Sequence, residues 1–241
     1  FRQQAEQPFN LSQGPLWQAH LLLLGPNEQI LTLAAHHLLV DGWSLGVMLS
    51  ELLQVYIALQ QHQAPSLPAV KQWNDYLQWS SQADVIALQS ADERYWLEQL
   101  KGVSTALQLP VDHCSSAKKS YTAERRALIL GSELTEALTG FSRSQGCTLF
   151  MTLLSAYLIL LHRLTRQSQL LVGTPISGRL FEGSEGLVGY TAHLLPIISE
   201  MEESTNLKKQ LWQLRSRLLE AFEHQHYPFA RLINRLNLPP D

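Results

Sequence analysis

Cysteine is scarce in this chain of 241 residues: Cys114 and Cys147 are the only two. Two thiols cannot build a disulfide framework, and these two stand at no zinc-binding spacing. Both are expected to be reduced thiols of a cytoplasmic protein, so the chemistry is sought elsewhere. Basic charge is also in short supply, with 18 Lys+Arg against 21 Asp+Glu and a net charge of −3. No basic patch runs through the sequence, which argues against a nucleic-acid partner. No unbroken apolar stretch approaches the roughly 20 residues that cross a bilayer, so no membrane is expected. Phe1 to Gln7 lacks the basic-then-apolar order of a signal peptide. Internal repeats and low-complexity tracts are absent as well.

What remains is an ordinary globular composition, 45% hydrophobic, arranged as alternating strands and helices. The fold class is therefore α/β. Trp17 to Leu24 reads as a strand, and its apolar run Leu21 to Leu24 suits a buried one. Gly25-Pro26-Asn27 turns it into a second strand at Gln29 to His36. A helix follows over 44–60, with Leu45, Met48, Leu49, Leu52, Leu53 and Tyr56 as one buried stripe and Ser44 as its cap. Pro65 and Pro68 break it. Further helices are expected near 70–82 and 85–100, and a linker from Leu109 to Ser120. Beyond the linker come a strand at 124–130, a helix opened by Ser132, the long helix 149–164, strands at 169–173 and 193–199, and a helix over 207–224. A domain boundary is placed at 112/113.

The residues with chemical potential are His36, His37 and Asp41. On a strand, adjacent side chains face opposite ways, so at most one of the two imidazoles can react while the other is held by the scaffold. The alternation does not say which. Asp41 could bond an imidazole N–H and fix its tautomer, or pair with an arginine and stiffen the loop. Gly42 permits a sharp turn. Imidazole, with its ordinary pKa of about 6.5, suits proton transfer near neutrality. Two histidines facing apart make poor joint metal ligands, and no metal is expected.

The stretch His36-His37-Leu38-Leu39-Val40-Asp41-Gly42-Trp43-Ser44 resembles the H-H-x-x-x-D-G-x-S signature of the condensation domains of nonribosomal peptide synthetases. Pro8-Phe9-Asn10-Leu11 with Gly14-Pro15-Leu16 is similar to the family's P-F-D-L-x-x-G-P-L. Trp73 to Trp79 resembles its Y-x-D-F-A-x-W, Tyr95-Trp96 its Y-W pair, and Gly173 to Arg179 its G-T-P-x-x-G-R. Val188-Gly189-Tyr190 and His224 to Phe229 echo two later motifs. The chain departs from the pattern at His193-Leu194, where the family has N-T, and at His226 and Ala230, which replace two acids of H-Q-D-Y-P-F-E.

The resemblance implies a chloramphenicol acetyltransferase-like, two-lobed sandwich, incomplete at both ends because the family's opening and last motifs are missing. Residues 1–112 would supply the end of the N-terminal lobe with the active-site motif and connecting helices, and 113–241 part of the C-terminal lobe. The implied reaction is attack of an acceptor aminoacyl thioester's amine on a donor acyl or peptidyl thioester. Both are carried on the phosphopantetheine arms of partner carrier domains, beside a neighbouring adenylation domain, and the domain binds no cofactor of its own. The resemblance makes His37 the active-site residue, His36 scaffold, and Asp41 structural in a salt bridge with Arg179. Gly42 would allow close backbone approach, and Trp43, Ser177, Tyr190 and His193 would line the substrate tunnel, Trp43 more as core than as contact. No oxyanion donor is assigned. An epimerisation domain and a non-catalytic docking platform for carrier domains are the competing readings, and little activity is expected of the 241 residues alone.

Overall fold

The computed structural model describes residues 8–111, 124–202 and 206–236, so Phe1 to Gln7, Cys114 and the linker from Asp112 to Ser120 lie outside the described residues. Strands β1 (Trp17–Gly25) and β2 (Glu28–Ala35) form an antiparallel hairpin, with Trp17 opposite Ala35 and Leu21 opposite Leu31. Helices α1 (Gly42–Gln60), α2 (Trp73–Ser80) and α3 (Ala83–Gln99) follow, then α4 (Ser132–Ser144) and α5 (Leu149–Thr165). Strands β3 (Gln169–Ile176) and β4 (His193–Glu200) pair in a second two-stranded sheet, and α6 (Leu207–Glu223) and α7 (Phe229–Leu236) close the order.

Packing sorts these elements into two compact units. The first comprises the described residues up to Leu88 together with Ile176–His193; the second comprises the rest from Gln89 to Pro175 and from Leu194 onward. That division differs from the boundary at 112/113 expected from the sequence. The chain re-enters the first unit at Ile176, and a linear scan for linkers cannot register a return of this kind.

The second unit holds most of the core. Leu158 and Leu161 of α5, Leu170 of β3, Leu195 and Ile197 of β4, Leu211, Leu214 and Leu218 of α6 and Leu232 of α7 are all buried. Thr148 caps α5 by accepting the Met151 N–H at 3.2 Å, and Asn206 caps α6 by accepting that of Lys209 at 2.9 Å. Helix α7 is absent from the sequence-based expectations, although Phe229, Leu232, Ile233 and Leu236 carry the three-and-four spacing of a one-sided helix.

Two expectations about burial and one about pairing fail. The stripe on α1 exists, but Leu49, Leu53 and Tyr56 are exposed, and Ser44 is the helix's one buried residue. Leu21, Leu23 and Leu24 are exposed too. Leu21, Leu49, Leu53 and Tyr56 face an open cavity of about 570 Å³ that α1 and the hairpin leave between them, lined also by Gln29, Leu31 and Leu52. The segment 124–130 is not a strand, and Leu128 and Ile129 are 87% and 93% exposed. An apolar run alone makes no sheet, because a strand's backbone needs a partner, and none among the described residues pairs with it.

Helix α1, 19 residues long, is also apolar enough to cross a bilayer by length and composition. Scanning for unbroken runs missed it because Ser44, Gly46, Ser50, Glu51 and Gln54 interrupt the apolar residues. Its N-terminus is anchored by the bonds described below, a feature that composition does not weigh.

Core and surface are thus sharply separated, and single substitutions should read the difference. Leu218→Ala removes a fully buried side chain and should cost about 2 to 5 kcal/mol. Ile129→Ser should stay within about 0.5 kcal/mol of the parent. Denaturant unfolding followed by circular dichroism compares the two.

Candidate active site

The strand β2 ends at Ala35, and the chain then makes a tight turn in which Leu39 N–H donates to the His36 carbonyl at 2.9 Å. His36 and His37 therefore sit just past the strand, yet their side chains still diverge. The His36 ring lies edge-on to Phe9, and its Nδ1 accepts the Leu38 N–H at 3.1 Å. The His37 ring is exposed; its Nδ1 is 2.8 Å from the Val40 carbonyl oxygen, and it meets Tyr190 edge-to-face at 5.2 Å. A carbonyl only accepts, so the proton of neutral His37 resides on Nδ1, and Nε2 keeps its lone pair.

Asp41 ends the turn and begins α1. It, not Ser44, is the N-cap: its Oδ1 accepts the Ser44 N–H at 2.8 Å. Ser44 lies one turn into the helix and is fully buried. Its hydroxyl contacts Asp41 Oδ1 at 2.7 Å and the Gly189 carbonyl at 2.8 Å, and it accepts the Gly189 N–H at 3.0 Å.

Arg179 closes the cluster. Nη1 donates to Asp41 Oδ2 at 2.9 Å and Nη2 to Oδ1 at 3.2 Å, with side chains 3% and 2% exposed. The guanidinium also donates to Thr191 Oγ1, to the Ser44 hydroxyl and to the Leu187 carbonyl, at 2.8, 3.0 and 3.0 Å. The Thr191 hydroxyl is 2.7 Å from the Ser177 carbonyl, and the Thr191 and Ala192 N–H groups both reach Asp41 Oδ2 at 3.3 Å. Arg179 Nε is the buried nitrogen of the guanidinium left without a partner among the described residues. Burial alone would raise the Asp41 carboxyl pKa, but the Arg179 bonds and the two Ser44 bonds outweigh it and hold the group well below the usual carboxylate range.

The remaining residues named from the sequence gather around this cluster. The Trp43 indole donates to the Glu185 carbonyl at 2.8 Å, and the Arg179 guanidinium lies 5.6 Å from its ring. Trp43 is 52% exposed, so it is not the core residue expected. Ser177 contributes its carbonyl, and His193 is half-buried with Nδ1 3.4 Å from the Thr191 carbonyl. Gly42 is simply the first residue of α1, where an added Cβ would meet open space, so the close approach expected of it is not seen. That role belongs to Gly178: at φ +65° a Cβ there would lie 2.0 Å from the Thr191 carbonyl oxygen. Sequence reasoning missed Gly178, Ser44 as a hub, and Thr191. The G-T-P-x-x-G-R match already contained Gly178, but no period in the sequence ties 41–44 to 187–192.

A condensation-domain family model matches residues 1–241. The chain belongs to the condensation-domain family. It is 38% identical over 236 residues to one of the proteins that make up the linear gramicidin synthase of Brevibacillus parabrevis, spanning 96% of this chain and 5% of that protein. Among solved structures, the SgcC5 protein from Streptomyces globisporus aligns with a TM-score of 0.78 at 27% identity over 96% of this chain. The X-domain from teicoplanin biosynthesis, in its complex with OxyB, aligns with a TM-score of 0.86 at 23% identity over all of it. The chain covers 52% and 54% of those two structures. The condensation domain's α/β, chloramphenicol acetyltransferase-like fold follows from these likenesses together with the mixed helices and strands described above.

A second carboxylate cluster lies wholly within the other unit, where the sequence departs from the family pattern. Asp92, 3% exposed, faces His224 Nδ1 at 3.0 Å and His226 Nδ1 at 3.1 Å, and accepts the His226 N–H at 2.9 Å. Tyr95 stacks on the His224 ring at 3.7 Å. Burial, and then the neighbouring Glu220, push the Tyr95 hydroxyl pKa far up. Glu93 accepts from the Tyr227 hydroxyl and from Arg235, each at 2.9 Å.

Two measurements follow. Asp41 has a depressed folded pKa, so its stabilisation is present above its unfolded pKa of about 3.9 and is lost as pH falls toward the folded value. Asp41→Asn strands a buried guanidinium and should cost about 3 to 5 kcal/mol at pH 7. Its melting temperature should also fall less steeply than the parent's below about pH 4. Thermal unfolding across pH tests both. His226→Asp, the family's residue, would set a carboxylate against Asp92 and remove a donor, costing roughly 1 to 3 kcal/mol at pH 7, whereas His226→Asn should cost less.

Proposed function

We propose that this condensation domain forms an amide bond between a donor acyl or peptidyl thioester and an acceptor aminoacyl thioester, with His37 as the proton acceptor. The carrying observation is the bond from His37 Nδ1–H to the Val40 carbonyl, which in the neutral imidazole leaves the lone pair on Nε2 of an exposed ring. Both substrates arrive on phosphopantetheine arms of carrier domains within a larger synthetase that also contains an adenylation domain.

The amine nitrogen attacks the thioester carbonyl carbon, and the C=O π electrons move to oxygen. The nitrogen becomes cationic, and its proton passes to His37 Nε2. Collapse of the tetrahedral intermediate breaks the C–S bond, and the departing thiolate takes a proton to become the free thiol. With an α-amino pKa of about 7.7 to 8.0, roughly a tenth of the amine is already neutral at pH 7, at a cost of about 1.4 kcal/mol. Removing the proton before attack is therefore the minor demand. A positioned base at the cationic stage contributes about 10² to 10⁴ in rate, and alignment of tethered reactants about 7 to 11 kcal/mol.

Asp41 is unsuited to act as this base, because its oxygens are engaged by Arg179, Ser44, Thr191 and Ala192. An intact His37 turn and Asp41–Arg179 pair favour turnover over mere docking of carrier domains.

The test is product formation by the full-length synthetase with both carrier domains loaded, followed by mass spectrometry. His37→Ala should lower single-turnover amide formation by about 10² to 10⁴. Near-parental rates in that variant would overturn the assignment.

A further inference from the structure

The His37 ring sits on a turn and is exposed, so a single hydrogen bond has to resist its rotation. One bond to Nδ1 fixes one atom and leaves the ring free to swing about that contact. A second contact is present: the Tyr190 ring, at 5.2 Å between centroids and 86° between planes. That edge-to-face geometry is the favoured one for two aromatic rings.

The backbone around Tyr190 is held on both sides. Gly189 bonds the Ser44 hydroxyl through both its N–H and its carbonyl. Thr191 and Ala192 donate N–H bonds to Asp41. An added Cβ at Gly189 would come within 2.5 Å of the Trp73 ring, so the chain there is closely confined. Yet the side chain carried by this anchored stretch is 46% exposed and fills no core. Its ring meets His37.

We propose that Tyr190 is a positioning residue, whose ring holds the His37 imidazole in the orientation that bonds Nδ1–H to Val40 and presents Nε2 to the reacting amine. The proposal deepens the reading of His37 as proton acceptor and rests on it. The buried pair then sets the site in two ways: Asp41 fixes the turn that carries His37, and through 189–192 it fixes the residue that steadies His37. The contact is made by the ring, so the hydroxyl is dispensable.

Two readouts test this. Nitrogen-15 NMR of histidine-labelled chain reports the His37 tautomer directly, whether or not amide is made. The parent and Tyr190→Phe should hold the Nδ1–H form. Tyr190→Ala and Tyr190→Leu should shift the ratio of forms toward Nε2–H by about two- to tenfold, the bias an aromatic pair supplies. In the full-length synthetase, Tyr190→Ala and Tyr190→Leu should lower kcat about tenfold or more with KM for the acceptor little changed, since misplacement near the reacting atoms costs up to about 10²-fold. Tyr190→Phe should restore kcat to within about twofold of the parent. A parental tautomer ratio in both the Ala and Leu variants would overturn the proposal, and so would a Phe variant as impaired as Ala. A tautomer shift in a synthetase whose parent forms no amide would uphold the positioning role and remove the reading of the reaction.

Discussion

A carboxylate and a guanidinium, both withdrawn from water, organise the first unit. Removing two charges from solvent costs several kcal/mol per ion, and the Asp41–Arg179 attraction repays it only because further bonds engage the carboxylate and both terminal nitrogens of the guanidinium. Ser44, Thr191 and Ala192 supply the remaining donors to the carboxylate, while Ser44, Thr191, Ser177 and Leu187 accept from the guanidinium. The partners are 138 residues apart, so the pair also ties the turn after β2 to the stretch 177–192. Removing either partner would leave the other as an uncompensated buried charge.

The same carboxylate is thereby disqualified from acting on a proton. Its work is geometric: it caps α1, ends the turn carrying His37 and anchors the backbone beside Tyr190. The imidazole is left to a backbone carbonyl, which sets the tautomer without adding charge. Asp92 presents the contrast. There a buried carboxylate faces two imidazoles directly, in the segment where His226 replaces the family's acid. With an acid at 226, Asp92 would face a like charge, so the histidine and this carboxylate are matched to each other.

The apolar face shared by the hairpin and α1 is the other conspicuous property. Its leucines have the spacing of a packed interior but are exposed in this chain, which spans about half of the solved structures it resembles. Leu128 and Ile129 tell the same story for strand pattern. Periodicity records what a segment is suited to bury, and burial itself requires a second surface to be present.

Local chemistry along the chain was enough to place most helices and strands, because hydrophobic period, prolines and turn residues act within a dozen positions. It was also enough to single out His36, His37 and Asp41 and, through the resemblance, Arg179. The identity of the helix cap, the exposure of the α1 stripe, the absence of a strand at 124–130 and the hub formed by Ser44, Gly178 and Thr191 were decided only in three dimensions. The cap is a contact three residues long, but the bonds from 41–44 to 179–192 and the exposure of the stripe depend on residues more than a hundred positions away or on whether a covering surface exists, and neither leaves a trace in local spacing. The tautomer of His37 belongs to the same class: its donor and acceptor are three residues apart, but the turn that brings them to 2.8 Å is held by Asp41 and its distant arginine.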